Sequence, residues 1–200
     1  MFVYDWDRVS LDDNTTVFAS SPLSLCTKYL PCALQVRGDG AVELSGDAQF
    51  VCLSSAGCSS ISILAVDFTC RNNNKSAFHM QGSVLTMFKA SFVGCRSGTD
   101  GGVVQAYNLA EVVIQACNFT NVRSGGFGGA VSAYGSSLSV TDSQLHNCTS
   151  RSGGGAVWAS AFPDCFATSQ ANNTYLNITT SVFSLCSTGG ACCAAFCLLR

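Results

Sequence analysis

Apolar residues recur along the chain in pairs that flank one residue, a pattern that predicts short β-strands with one buried face. The pairs begin at Ile61, Leu85, Val112, Leu138 and Leu176. Seven residues after each of these positions stands a further large apolar residue, namely Phe68, Phe92, Phe119, Leu145 and Phe183. Because the columns keep the same mutual spacing in every copy, the sequence predicts an internal repeat of about 26 residues.

Pairs of glycines recur with nearly the same spacing as these apolar positions. They are Gly101-Gly102, Gly128-Gly129, Gly154-Gly155 and Gly189-Gly190. Glycine allows positive φ and close backbone approach, so we expect a sharp turn at each pair. One such repeat cannot bury its apolar face alone, but copies stacked ~4.8 Å apart can. The sequence therefore predicts an all-β fold, a right-handed parallel β-helix (solenoid) of about six or seven coils.

The repeat phase divides the chain into two parts. Residues 1–32 fit no register, and we expect an irregular N-terminal cap over the edge of the first coil. Residues 33–200 are expected to form the β-helix repeats. Because the sequence stops inside an apolar, strand-like pattern, we expect the repeats to be truncated at the C-terminus and the chain to be a fragment of a larger protein.

Charge and hydropathy exclude several partners. Only 11% of the residues are charged, 48% are hydrophobic and the formal net charge is −2. No global basic field is present, so we expect no nucleic-acid partner. The apolar content excludes disorder, yet no apolar run approaches the ~18 residues of a membrane-spanning helix. We therefore expect no membrane-spanning segment here, which leaves open an anchor elsewhere in the parent protein.

The cysteines indicate an oxidising compartment. Thirteen cysteines in 200 residues favour disulfides, which persist outside the cytosol. Asn-x-Ser/Thr glycosylation sequons begin at Asn14, Asn74, Asn118, Asn147, Asn172 and Asn177. Together they predict an extracellular or cell-surface glycoprotein, although the N-terminus shows no signal peptide.

Several cysteine pairings are open. Cys26 with Cys32, and Cys52 with Cys58, could close short loops. Cys148 and Cys186 fall on adjacent predicted coils and could bridge, or could belong to a ladder of buried thiols. The chain lacks a Cys-x-x-Cys motif and its two histidines, His79 and His146, lie far apart, so we expect no metal site and no cofactor.

Two copies of the repeat carry a family resemblance. Phe119-Thr-Asn121 and Leu145-His-Asn147 are each followed by Gly-Gly-Ala-Val. This pattern resembles the polymorphic outer-membrane protein type of β-helix repeat, Phe-x-x-Asn followed by Gly-Gly-Ala-Ile/Leu/Val. The resemblance covers residues 61–192 and implies a right-handed β-helix of the pectin-lyase-like class in a secreted or surface protein. Where the family asparagine would stand, this chain has Cys95, Val122, Cys148 and Cys186.

The same class contains polysaccharide lyases and glycoside hydrolases, which makes an enzyme the alternative hypothesis. Those enzymes need clustered carboxylates for calcium binding or acid–base work. This chain has two glutamates, Glu43 and Glu111, and its one acidic doublet is Asp12-Asp13 in the expected cap. We therefore predict no catalytic residues and a non-enzymatic protein with a structural, adhesive or carbohydrate-contacting role.

Arginines supply the candidate ligand contacts. Arg71, Arg96, Arg123 and Arg151 recur about once per repeat, at what the spacing predicts to be the same turn. Guanidinium groups stacked ~5 Å apart repel one another unless an anion lies across them. An acidic polysaccharide or a host or cell-surface glycan could be that anion; the alternative is a row of solvated turn residues. A lengthened repeat between residues 160 and 173 predicts a projecting loop as a second candidate.

Overall fold

The computed structural model describes residues 8–11, 16–19, 23–24, 32–38, 40–160, 174–190 and 196–199. The first strands are β1 (Arg8–Leu11), β2 (Thr16–Ala19), β3 (Leu23–Ser24), β4 (Cys32–Gly38), β5 (Ala41–Ser45), β6 (Phe50–Leu53), β7 (Cys58–Leu64) and β8 (Asp67–Arg71). The middle strands are β9 (Phe78–Gln81), β10 (Val84–Phe88), β11 (Ser91–Val93), β12 (Arg96–Ser97), β13 (Val104–Tyr107), β14 (Glu111–Gln115), β15 (Asn118–Thr120), β16 (Arg123–Ser124) and β17 (Val131–Tyr134). The last strands are β18 (Ser137–Thr141), β19 (Gln144–His146), β20 (Thr149–Ser150), β21 (Val157–Ser160), β22 (Tyr175–Thr179), β23 (Val182–Ser184), β24 (Ser187–Thr188) and β25 (Phe196–Leu199). A single 3₁₀ turn, Ser54–Ala56, is the one helical element among the described residues.

The strands form four parallel sheets that run along one axis. The first sheet has the order β1-β4-β7-β10-β14-β18-β22, and the second has the order β2-β5-β8-β11-β15-β19-β23. The third sheet is β12-β16-β20-β24, and the fourth is β3-β6-β9-β13-β17-β21-β25. Each coil contributes consecutive strands to successive sheets, so every strand pairs with its equivalents in the neighbouring coils. The predicted all-β fold with a parallel β-solenoid is confirmed, while its handedness stays a prediction.

The apolar columns read from the sequence lie in register. In the first sheet Leu85 pairs with Ile61 on one side and Val112 on the other, and Met87 pairs with Ile63 and Ile114. These side chains are completely or almost completely buried, whereas the residues between them are partly exposed. Alternation of buried and exposed positions thus gives each strand one face in the core.

The phenylalanine column forms the centre of the core. Phe92 stacks on Phe68 with ring centroids 4.9 Å apart and on Phe119 with centroids 5.1 Å apart. In the coil after Phe119, Leu145 occupies the equivalent position and pairs with it. In the coil after that, Phe183 pairs with Leu145. Successive copies therefore place equivalent side chains directly over one another.

Strand pairing continues on both sides of residue 32. Strands β1, β2 and β3 pair in parallel with β4, β5 and β6, respectively. The stacked sheets thus reach into the segment for which the sequence predicts an irregular cap. The other residues of that segment lie outside the described ones.

Two disulfides join described cysteines. Cys52–Cys58 closes the short loop predicted from the sequence. Cys70–Cys95, which the sequence analysis missed, links two adjacent coils with a Cα–Cα distance of 4.6 Å. Among the described residues, Cys117, Cys148 and Cys186 are free thiols. The predicted pairing of Cys26 with Cys32 involves a residue outside the described ones.

Candidate functional site

The third sheet presents two of the candidate arginines on its outer face. Arg96 of β12 pairs directly with Arg123 of β16, and both residues are exposed. The serine that follows each arginine is buried. Ser124 Oγ donates a hydrogen bond to the carbonyl oxygen of Phe127 at 3.2 Å, which fixes the start of the turn. Since neighbouring side chains of a strand point to opposite faces, the arginines point to solvent.

The four arginines do not share one turn. Arg123 pairs on its far side with Thr149, and Arg151 stands two residues further along, in the exposed turn after β20. Arg71 ends β8 in the second sheet, where it pairs with Ser45. The predicted column of four is therefore corrected to Arg96 and Arg123. The physical reason is that strand hydrogen bonds set the register. Arg96 and Arg123 each stand four residues after the core phenylalanine of their coil, whereas Arg71 stands three residues and Arg151 six residues after the equivalent core position.

Arg71 has its charge compensated locally. Its Nε lies 3.3 Å from Glu43 Oε2, and the arginine side chain is 69% exposed. The pair borders a shallow cavity of about 180 Å³ that is lined by Ala41, Val42, Glu43, Thr69 and Arg71. Within the part of the chain that the structure describes, this is the one ion pair. Of the four predicted residues, Arg71 is therefore the least available to an external anion.

Arg96 and Arg123 form an uncompensated positive pair, which we call the arginine pair. None of the four described strands of the third sheet contains aspartate or glutamate. Like charges placed directly opposite each other on neighbouring strands are unfavourable, because the strands are only ~4.8 Å apart. An anion that contacts both guanidinium groups would remove this repulsion and accept hydrogen bonds from both.

A second cluster lies on the outer face of the fourth sheet and consists of Tyr107, Phe127, Tyr134 and Trp158. Asp100 organises it. One carboxylate oxygen of Asp100 accepts the Phe127 backbone N–H at 2.7 Å, and the other accepts the Tyr134 hydroxyl at 3.0 Å. The sequence carried a signal for this cluster, since Tyr107 and Tyr134 have the 27-residue spacing of Gly101 and Gly128.

The two tyrosines remain protonated over a wide pH range. Burial, with a smaller contribution from the Asp100 carboxylate, raises the pKa of Tyr107 to about 12. Burial and Asp100 raise the pKa of Tyr134 further still. Both phenols therefore act as neutral hydrogen-bond donors and acceptors, and neither is suited to serve as a base near neutral pH.

The rings of this cluster are engaged with one another. Tyr107 and Tyr134 stack with centroids 5.2 Å apart and an interplanar angle of 6°. Phe127 packs on Trp158 with centroids 4.2 Å apart. Sugar rings bind to open aromatic faces, whereas each of these rings has one face packed against a neighbour and Tyr134 and Trp158 are buried. We therefore interpret the cluster as a structural brace of the turns and not as a platform for carbohydrate.

The histidines are held apart by the fold. His79 lies on β9, where its Nδ1 is 3.2 Å from Gln105 Oε1, and His146 lies on β19, where its Nδ1 is 2.8 Å from Ser184 Oγ. Among the described residues, no group of three or more His, Cys, Asp or Glu side chains is placed to hold a metal ion. The predicted projecting loop falls mostly on residues 161–173, which lie outside the described ones.

A helix with the length and apolar character to span a bilayer does not occur in the described residues. Comparisons with protein-family models, with curated proteins and with solved structures find no match to this chain.

Proposed function

We propose that this chain is a non-enzymatic repeat segment of an extracellular or cell-surface protein that contacts an acidic polysaccharide through the arginine pair. The observation that carries the proposal is the direct register pairing of the exposed residues Arg96 and Arg123. Two guanidinium groups held on adjacent strands repel each other, and a sulfate or uronic carboxylate relieves the repulsion. Arginine also forms bidentate hydrogen bonds with such groups. An adhesive or structural role would follow from glycan contact along the solenoid.

The remaining candidate arginines contribute unequally to this proposal. Arg151 is exposed on the coil after Arg123 and extends the positive surface along the solenoid. Arg71 contributes less, because Glu43 neutralises it. The net charge of −2 means that the whole chain does not attract anions. Binding to an acidic glycan would therefore depend on this local surface.

Disulfides and sequons support the extracellular setting. Cys52–Cys58 and Cys70–Cys95 support this setting, because disulfides persist mainly in oxidising compartments. Asn74 and Asn118 begin Asn-x-Ser/Thr sequons and are exposed. Glycosylation acceptors lie at accessible positions of secreted proteins, so both positions agree with this setting.

We also propose that the solenoid is right-handed and of the pectin-lyase-like class, with repeats similar to the polymorphic outer-membrane protein type. Support comes from the glycine pairs and the phenylalanine column, which occupy equivalent positions in successive coils. No observation on the described residues favours the alternative of a polysaccharide lyase or glycoside hydrolase over glycan binding.

Binding to defined polysaccharides tests the proposed function. The purified chain is passed over immobilised heparin, which is sulfated, over polygalacturonate, which carries uronic acids, and over neutral dextran as a blank. We expect binding to one of the acidic glycans that weakens with salt and falls about tenfold in the double variant R96Q/R123Q. R71Q is the matched control and retains binding, because its charge is already paired with Glu43.

Two results would contradict the proposal. One is a wild-type chain that binds neither acidic glycan at low salt. The other is an R71Q variant that loses as much binding as R96Q/R123Q, since this would indicate nonspecific attraction. Reducing-end release from the same polysaccharides, abolished in R123Q, would instead establish the enzymatic alternative.

A further inference from the structure

Two free thiols face each other at one corner of the solenoid. Cys148 follows β19 and Cys186 follows β23. Leu145 pairs with Phe183 before the two cysteines, and Thr149 pairs with Ser187 after them. The Ser187 N–H donates to the Cys148 carbonyl oxygen at 3.0 Å. Cys148 and Cys186 therefore occupy equivalent positions in successive coils.

The two side chains are close neighbours. The Cys186 thiol donates a hydrogen bond at 3.3 Å to the carbonyl oxygen of Leu145, which lies in the coil that carries Cys148. Adjacent parallel strands are ~4.8 Å apart, and disulfides form between Cα atoms about 4.4–6.8 Å apart. The solenoid already carries a bridge of this kind, because Cys70 and Cys95 join adjacent coils with a Cα–Cα distance of 4.6 Å. No large backbone movement is needed to join Cys148 to Cys186.

The environments of the two thiols differ. Cys148 is completely buried, whereas Cys186 is partly exposed. Interaction with the Cys148 thiol lowers the pKa of Cys186, whereas interaction with Cys186 together with burial raises the pKa of Cys148. Cys186 is thus the accessible thiol with more thiolate character, and Cys148 is the protected partner behind it.

We propose that Cys148 and Cys186 form a thiol–disulfide exchange site that closes into a disulfide between two coils of the solenoid. The oxidant is a low-molecular-weight disulfide such as oxidised glutathione. Cys186 thiolate attacks one sulfur of the oxidant, forms a mixed disulfide and expels one thiolate, which takes up the proton that Cys186 released. Cys148 then attacks the Cys186 sulfur, its proton passes to the second expelled thiolate, and the protein disulfide forms. Two protein thiols are oxidised while one small disulfide is reduced to two thiols.

The site is independent of the proposed glycan contact. Its closure would tie β23 and β24 to the coil that contains β19 and β20, in addition to their backbone hydrogen bonds. Cys117 provides a natural comparison within the same solenoid. It is a buried free thiol, and the equivalent position in the next coil holds Ser143, whose Oγ accepts the Cys117 N–H at 3.1 Å. Cys117 therefore lacks a facing cysteine there.

The experiment treats the purified folded chain with oxidised glutathione, blocks remaining thiols with N-ethylmaleimide and maps the peptides by mass spectrometry without reduction. We expect a Cys148–Cys186 cross-linked peptide that is lighter by about 2 Da than the two thiol peptides together. Blocking of Cys186 should fall about tenfold after oxidation, whereas Cys117 reacts only after unfolding. C117S should leave the cross-link unchanged.

Two single variants separate the steps. In C148S, Cys186 should accumulate as a stable glutathione adduct, because its partner for the second step is missing. In C186S, the buried Cys148 should stay unmodified in the folded protein. The proposal is overturned if oxidation leaves Cys186 as a thiol, if it joins either residue to another cysteine of the chain, or if C148S shows no adduct.

Discussion

At the scale of single residues, the corners of the solenoid depend on left-handed backbone conformations. Gly94, Asn121, Asn147 and Leu185 occupy equivalent corners with φ values of 73°, 57°, 52° and 52°. Glycine and asparagine tolerate this region, whereas a leucine there costs roughly 1–2 kcal/mol. The last of these corners therefore carries a local strain that the other three avoid.

Relief of this strain should stabilise the protein. Leu185 is 72% exposed, so its replacement removes little buried apolar surface. We expect Leu185→Asn to raise the free energy of unfolding by about 0.5–1 kcal/mol, measured by urea denaturation. Leu185→Ala is the control, because alanine shortens the side chain without favouring positive φ. Equal gains in both variants would assign the effect to the lost leucine and not to the backbone.

The two tyrosines of the Asp100 cluster predict a loss of stability at alkaline pH. The raised pKa of Tyr107 means that the folded state keeps this proton when the unfolded chain releases it. Its contribution is fully present below pH ~10 and is lost as pH rises through about 12. We expect Tyr107→Phe to have a shallower decline of the free energy of unfolding than the wild type between about pH 10 and pH 12. Parallel declines in the two proteins would refute this prediction.

At the scale of the elements, the sequence predicted the strands better than the turns. The columns that contain Leu85 and Phe92 could be read directly, because burial imposes the same residue type at the same position in each coil. Cys70–Cys95 was missed because Cys70 stands two residues after Phe68 while Cys95 stands three after Phe92. The arginine column failed for a related reason. The Arg-Ser-Gly sequence at residue 151 starts two residues later than the register position of Arg123, which Thr149 occupies instead.

Glycine pairs show where neighbouring coils approach most closely. A Cβ on Gly129 would overlap the carbonyl oxygen of Gly155 in the next coil and would lie 2.7 Å from the backbone nitrogen of Thr149. We expect Gly129→Ala to lower the free energy of unfolding by about 2–4 kcal/mol in urea denaturation. Gly189→Ala is the matched control, since its Cβ would come no closer than 3.1 Å to Arg151 O. A similar loss in both variants would contradict a steric origin.

At the scale of the whole molecule, each coil contacts its neighbours, so stability is approximately a sum over adjacent coils. Cys70–Cys95 adds a covalent link between two coils and closes a loop of 25 residues, whereas Cys52–Cys58 closes one of 6. The arginine pair could be predicted only in part from the sequence. The sequence indicated arginines on the surface, but their pairing depends on how consecutive coils align.

The two disulfides should differ in their contributions to stability. Loop-closure entropy predicts a loss of about 3.5 kcal/mol for C70A/C95A and about 2 kcal/mol for C52A/C58A. The measurement is urea denaturation of both double variants under non-reducing conditions. Each variant serves as the control for the other, because both remove two buried sulfur atoms. An equal loss, or a larger one for the short loop, would show that strain or packing outweighs loop length.

Because the coils resemble one another, the chain could stack with one coil skipped during folding. Asp100 helps to disfavour this misalignment. A chain that skipped one coil would still set one aliphatic residue over another, so the core alone distinguishes poorly between the native alignment and a slipped one. The carboxylate of Asp100 is different, since it meets Tyr134 and Phe127 in the coil immediately following its own. In a chain shifted by one coil, the Asp100 carboxylate would lose the Tyr134 hydroxyl, because Ser160 stands at the equivalent position of the following coil. Asp100 thus favours the native alignment of its coil with the coil that follows it.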